Sequence, residues 1–270
     1  MKNKLPLLVI AISLFLMLLS SVAQAQSLGL APAQVVEKFK PGVPFQFELT
    51  TANSGEAPVE MSVEITDFWY TENNEKTFGA PGTSPHSAAN WIQFVPEHFD
   101  VAAHASQKMK AIVTPPADAK GGYYAVLFVK SKPQLSFDKT KDGKSVFTNM
   151  RIGCLVLLSA ENTEQFKIAV TDLKLTPPSA NKGLELDFTI ENQGNTHIFP
   201  WPRLAILDSK HKLVAKAESE MKRYLPGQKD GMKVDWSGTL EPGNYTAVLT
   251  ISYGDDRIET QTLPLVISAP

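Results

Sequence analysis

Apolar and polar residues alternate with a period of two in short runs along most of this chain, and a helical period is nearly absent. The clearest run is Val59 to Thr66, where Val59, Met61, Val63 and Ile65 fall on one face with Glu60, Ser62 and Glu64 between them. Side chains of a strand point alternately to its two faces, so this run reads as a half-buried strand. Phe45 to Thr50 and Leu184 to Ile190 repeat the pattern. Further strands are predicted over Trp91 to Pro96, Lys108 to Val113, Phe166 to Leu175, Met232 to Trp236 and Arg257 to Ile267. Leu204 to Leu207 and Leu213 to Ala217 read as a pair. Leu28 to Phe39 reads as a single first edge strand. Lys212 to Tyr224 has a partly helical composition but no sustained 3.6-residue period.

Two stretches depart from alternation. Pro115, Pro116, Gly121 and Gly122 punctuate a corner, because proline removes backbone donors and glycine permits a sharp redirection. Tyr123 to Val129 follows as an unbroken apolar run, which predicts a strand buried on both faces. Ile152 to Leu158 is the second such run. Ile152, Cys154, Val156 and Leu158 share one face and Leu155 and Leu157 the other, so both faces are apolar. One face would sit on a core. The other would be covered by a loop or a second domain, or offered to a partner.

The corner has a weaker copy at Glu241 to Tyr245, and the turn at Asn53-Ser54-Gly55 has a copy at Asn192-Gln193-Gly194. Short strands with turn signals every 8 to 12 residues, arranged twice, predict an all-β chain of two immunoglobulin-like β-sandwich domains in tandem. The expected limits are 26–160 and 166–270, with the polar segment 161–165 as linker. Tyr70 to Ala89 and the lysine-rich Ser131 to Asn149 are expected as surface excursions, the latter turning at Asp142-Gly143.

Composition adds a compartment. Lys2 and Lys4, the apolar stretch Leu7 to Leu19 and the small-residue site Ala23-Gln24-Ala25 form a secretory signal peptide over residues 1–25, cut between Ala25 and Gln26. The expected location is periplasmic or secreted, with no stable membrane anchor after cleavage. A single cysteine, Cys154, excludes an intramolecular disulfide, and its apolar surroundings predict a buried thiol. The net charge of −2 becomes slightly more acidic once Lys2 and Lys4 are removed, which leaves no basic stripe for nucleic acid.

No catalytic, metal or cofactor site is predicted. The five histidines lack metal-ligand spacing, and no phosphate loop, dinucleotide fingerprint or nucleophile elbow is present. Aromatic clusters at Phe68-Trp69-Tyr70 and Phe199-Pro200-Trp201 could stack on sugars. They keep a carbohydrate-binding surface module as the alternative function, against a reading in which the rings cap a core.

Trp91-Ile92-Gln93-Phe94-Val95-Pro96, then Phe99-Asp100-Val101, Met109 to Val113, and Thr114-Pro115-Pro116 to Gly121-Gly122-Tyr123 resemble the first domain of PapD-like periplasmic pilus-assembly chaperones. The order also resembles the related domain of WxL-interacting bacterial surface proteins. The second half resembles a generic immunoglobulin- or fibronectin-like domain. The resemblance implies an exported, non-enzymatic protein-binding module of the bacterial envelope, with a pilin-like subunit or surface protein as partner. It further implies binding by β-strand addition along the last strand of the first domain. The partner-binding residues would be Arg151, Ile152, Cys154, Leu155, Val156, Leu157 and Leu158. In such chaperones two cleft cations hold the subunit's terminal carboxylate. Here only Arg151 and Lys38 or Lys40 lie near those positions.

Overall fold

The computed structural model describes residues 28–139, 145–179, 182–254 and 256–268. The signal peptide and the Asp142-Gly143 turn lie outside them. Strands in the first half are β1 (Leu28–Ala31), β2 (Gln34–Phe39), β3 (Phe45–Asn53), β4 (Val59–Tyr70), β5 (Lys76–Gly79) and β6 (Ile92–Val95). They continue with β7 (His98–Val101), β8 (Ala105–Val113), β9 (Gly121–Ser131), β10 (Gln134–Lys139), β11 (Ser145–Thr148) and β12 (Arg151–Ala160). The second half holds β13 (Ile168–Thr176), β14 (Leu184–Asn192), β15 (Trp201–Leu207), β16 (Leu213–Glu218), β17 (Lys229–Trp236), β18 (Gly243–Gly254) and β19 (Arg257–Ile267).

In the first half one sheet runs β1-β3-β8-β6 and the facing sheet β2-β12-β9-β4-β5, with β7 also on β4 and β10-β11 a separate hairpin. The second half sets β13-β14-β17 against β16-β15-β18-β19. The chain is therefore all-β, two sandwiches of the immunoglobulin-like kind.

Alternation places each core. Leu49, Met109 and Ala111 from one sheet meet Val35, Met61, Leu127 and Val156 from the other. Leu186, Phe188 and Ile190 meet Leu204, Ile206 and Leu249 in the second half. Burying each of these large side chains stabilises the fold by roughly 1.5–3 kcal/mol before entropy is counted.

The two matching turns are built alike. Asn53 is buried; its Oδ1 accepts from the Gly55 N–H and its Nδ2 donates to Ala57 and Val101 carbonyls. Asn192 is equally buried, with Oδ1 accepting from Gly194 N–H and Nδ2 donating to Thr196 and Tyr224 carbonyls.

Three expectations need correction. Leu28 to Phe39 is two strands in opposite sheets, because Pro32 has no N–H to continue a ladder and the chain crosses there. The Tyr70 to Ala89 segment contains β5, and Ser131 to Asn149 contains the β10-β11 hairpin. The predicted strand at Leu213 to Ala217 is β16, followed by chain without regular structure up to the Tyr224 bridge.

A half-open strand beside an interdomain joint

Strand β12 lies inside its sheet over only part of its length. Along one side it pairs antiparallel with β9 from Arg151 to Ala160. Along the other it pairs parallel with β2, from Leu155 to Ala160 alone. Among the described residues no strand pairs with that second side from Arg151 to Cys154. Leu155 N–H donates to the Ala33 carbonyl on the β2 side. Backbone groups alternate sides along a strand, so the N–H groups of Arg151 and Gly153 point to the open side.

The predicted partner-binding residues divide between three settings. Cys154, Val156 and Leu158 are buried in the first core, with Ile152 packed half-buried against them. Burial pushes the Cys154 thiol up to about 11, which makes it an inert apolar group. Leu155 and Leu157 face the other way, onto Phe68, Tyr124 and Val126, and are joined by Leu225 and Phe199 of the second half. The second half is thus the cover of that face. Arg151 alone is exposed. Its guanidinium lies 3.4 Å from the Phe128 ring centroid and donates to Glu64 Oε2 at 2.9 Å. Gly153 leaves room for that ring, since a Cβ would stand 2.8 Å from Phe128 Cε1. Burial raises the Glu64 carboxyl, but Lys130 and Arg151 outweigh it and hold the group below its ordinary range.

The cover is held by polar contacts as well as by packing. Gly122 N–H donates to the Asn195 carbonyl (2.8 Å), and Gly121 N–H to Thr163 Oγ1 (2.9 Å). Asn195 also ties the linker, accepting from Gln165 N–H and donating to the Thr163 carbonyl. Gly121 is at φ +73° and its missing Cβ would stand 2.8 Å from Asn195 Cγ, so only glycine fits. Farther along, Arg223 Nη1 donates to Gln34 Oε1 at 2.5 Å and Nη2 to the Tyr70 hydroxyl at 3.0 Å. At the tip of the β4-β5 hairpin, Asn74 Nδ2 donates to the Lys229 carbonyl at 2.7 Å.

Between these ties the joint holds a buried polar atom without a hydrogen-bond partner, His197 Nδ1, beside the Tyr124 hydroxyl, which interacts with the Thr196 side chain and the His197 backbone. Leaving that nitrogen unpartnered costs about 1–3 kcal/mol of desolvation. His197 has the Tyr124 and Phe199 rings edge-on at 5.8 and 5.7 Å. With Thr196 it lines a cleft of about 330 Å3 whose other walls include Lys38, Ser159, Phe199 and Tyr253. Burial pushes the His197 imidazole down to about 4, and the charges of Arg223 and Lys38 push the same way.

Sequence reasoning missed Gln34, Asn195, His197 and Arg223. Asn195 and His197 have only their proximity to the Asn192 turn as a signal and Gln34 only its place near the first strand, while Arg223 has none. The aromatic clusters give the carbohydrate reading no support. Phe68 and Phe199 pack in the joint, Trp69 lies against Gly79, and Trp201 sits under the Arg203 guanidinium. His104 pairs with Glu56 at 3.0 Å. Among the described residues there is no group of three metal-ligating side chains, and no helix is long and apolar enough to cross a membrane.

No family model matches the chain, and no curated protein matches it. Solved structures do, among them PapD-like fimbrial chaperones matched over about nine-tenths of this chain. The class 5 fimbriae chaperone CfaA matches 90% of this chain and 100% of its own, at 14% identity and a TM-score of 0.49. The E. coli chaperone DraB matches 90% of this chain and 97% of its own, at 16% identity and a TM-score of 0.42. The Pseudomonas aeruginosa CupB2 chaperone matches 89% of this chain and 100% of its own, at 9% identity and a TM-score of 0.42. These are likenesses of architecture and assign no residue a role.

Proposed function

We propose that this protein is an exported, non-enzymatic chaperone of the bacterial cell envelope that binds a pilin-like subunit or surface protein by strand addition along the open side of β12. Residues 26–160 and 166–270 form its two units, joined by 161–165, and residues 1–25 direct export. The observation that carries the reading is the half-open strand. Over Arg151 to Cys154 one side of β12 has no paired strand among the described residues, while the opposite side is fixed to β9. An extended segment can add there through main-chain hydrogen bonds, beginning with the Gly153 N–H. Arg151 and Ile152 are the side chains placed to meet it. Leu155 and Leu157 act through the joint, because they set the second half against the sheet.

The test uses a fimbrial-type subunit whose own groove lacks a strand, compared with the same subunit after its groove has been filled with a donor peptide. The protein should hold the first and release the second. Equal capture of both, or of neither, rules the reading out.

A further inference from the structure

The chemistry of the joint has a consequence that strand addition does not require. His197 is buried at the seam between the halves, 7% exposed, with Nδ1 unpartnered. Its surroundings come from several elements. Tyr124 of β9 and Phe199 of its own segment contribute rings. Strand β2 contributes Lys38 and Glu37, and β18 contributes Tyr253, all on the same cleft. Arg223 reaches in from the segment after β16 and is anchored on Gln34 and Tyr70. Glu164 of the linker lies 3.6 Å from Lys38 Nζ. The charges that act on the imidazole are two cations, Arg223 and Lys38. A proton on Nδ1 would therefore add a third positive charge, buried and without a hydrogen-bond acceptor at that atom.

We propose that His197 makes the joint acid-sensitive: the neutral ring lets the two halves close on each other, and protonation releases the second half from the outer face of β12. Release would uncover Leu155, Leu157, Tyr124 and Val126, the apolar residues that the closed joint hides. The direction follows from linkage. In the closed form the imidazole titrates near 4, against an ordinary value of 6.5 once water reaches it. The closed form thus binds fewer protons. Its advantage is complete above about 6.5, shrinks by about tenfold per pH unit below that, and levels off below about 4.

The experiment measures the distance between spin labels on two exposed positions, Val95→Cys in the first half and Ile258→Cys in the second, from pH 7 to pH 4.5. Far-UV circular dichroism is followed in parallel. The closed-to-open ratio should fall about fortyfold across the window from 6.5 to 4.5, with the sandwich signal unchanged. His197→Phe keeps both ring contacts without a titrating group, and His197→Gln keeps a hydrogen-bonding side chain; both should hold one distance throughout. Where the phenylalanine variant fails to fold, the glutamine variant decides. In the unlabelled protein, Lys38→Gln should raise the midpoint of the His197 ring signal followed by NMR, because it removes one of the two cations that act on the ring. A wild-type distance that does not change, variants that open at the same pH as wild type, or opening that coincides with loss of the dichroism signal would each overturn the proposal.

Discussion

Asn53 and Asn192 close the same turn in the two halves of the chain, and the segments that follow them have different uses. After Asn53 the chain passes Glu56, whose carboxylate meets His104 in solvent. After Asn192 it passes Asn195, Thr196 and His197, which are the second half's side of the joint. The corners differ in the same way. At the first, Lys120 N–H donates to the Tyr123 hydroxyl, and Gly121 and Gly122 press against Asn195 and Thr196. At the second, the Tyr245 hydroxyl donates to the Glu241 carbonyl, and the nearest atom to a Cβ on Gly243 would be 3.6 Å away in Tyr245. One local design thus serves as a surface turn in one place and as a docking point in another. The residues placed beside it decide which.

Substitutions at the corners should separate the two uses most sharply. Gly121→Ala forces a left-handed φ onto a side chain that collides with Asn195, and should cost about 3 kcal/mol in denaturant unfolding. Gly243→Ala meets only ordinary contacts and should stay within about 0.5 kcal/mol of wild type. Comparable losses at both corners would erase the distinction.

The asparagine turns come next. Asn53→Ala and Asn192→Ala each orphan buried backbone groups and should each cost about 2 kcal/mol. Only the second should also loosen the joint, seen as faster amide exchange at Gly122. Asn195→Ala removes joint contacts while leaving the Asn192 turn in place. It should cost about 1 kcal/mol and split a single unfolding transition into two. Smallest of all, Tyr245→Phe loses one exposed hydrogen bond and should cost about 0.5 kcal/mol.

What was legible in the sequence was local. Period-two runs such as Val59 to Thr66 reveal a strand because one face must be apolar, and both asparagine turns were visible as tripeptides. The double-sided apolarity of Ile152 to Leu158 was visible too, although its cover was left open. Short strands poor in apolar residues, such as Lys76 to Gly79, carry too little pattern to be found. The joint was out of reach for a different reason. Arg223 and Gln34 are 189 residues apart, and neither has a feature that singles it out until folding brings them together. Likewise His197 reads as one more loop histidine until its burial between two rings and two cations is known.

The central claim is that β12 is closed by β2 from Leu155 onward and open before it. Amide hydrogen exchange at Gly153 tests this most directly, measured in the protein alone and with a bound subunit whose groove lacks a strand. Gly153 should exchange rapidly in the first state and become protected in the second, with Leu155 and Leu157 protected in both. Protection of Gly153 in the protein alone, or an unchanged rate on binding, would contradict the account.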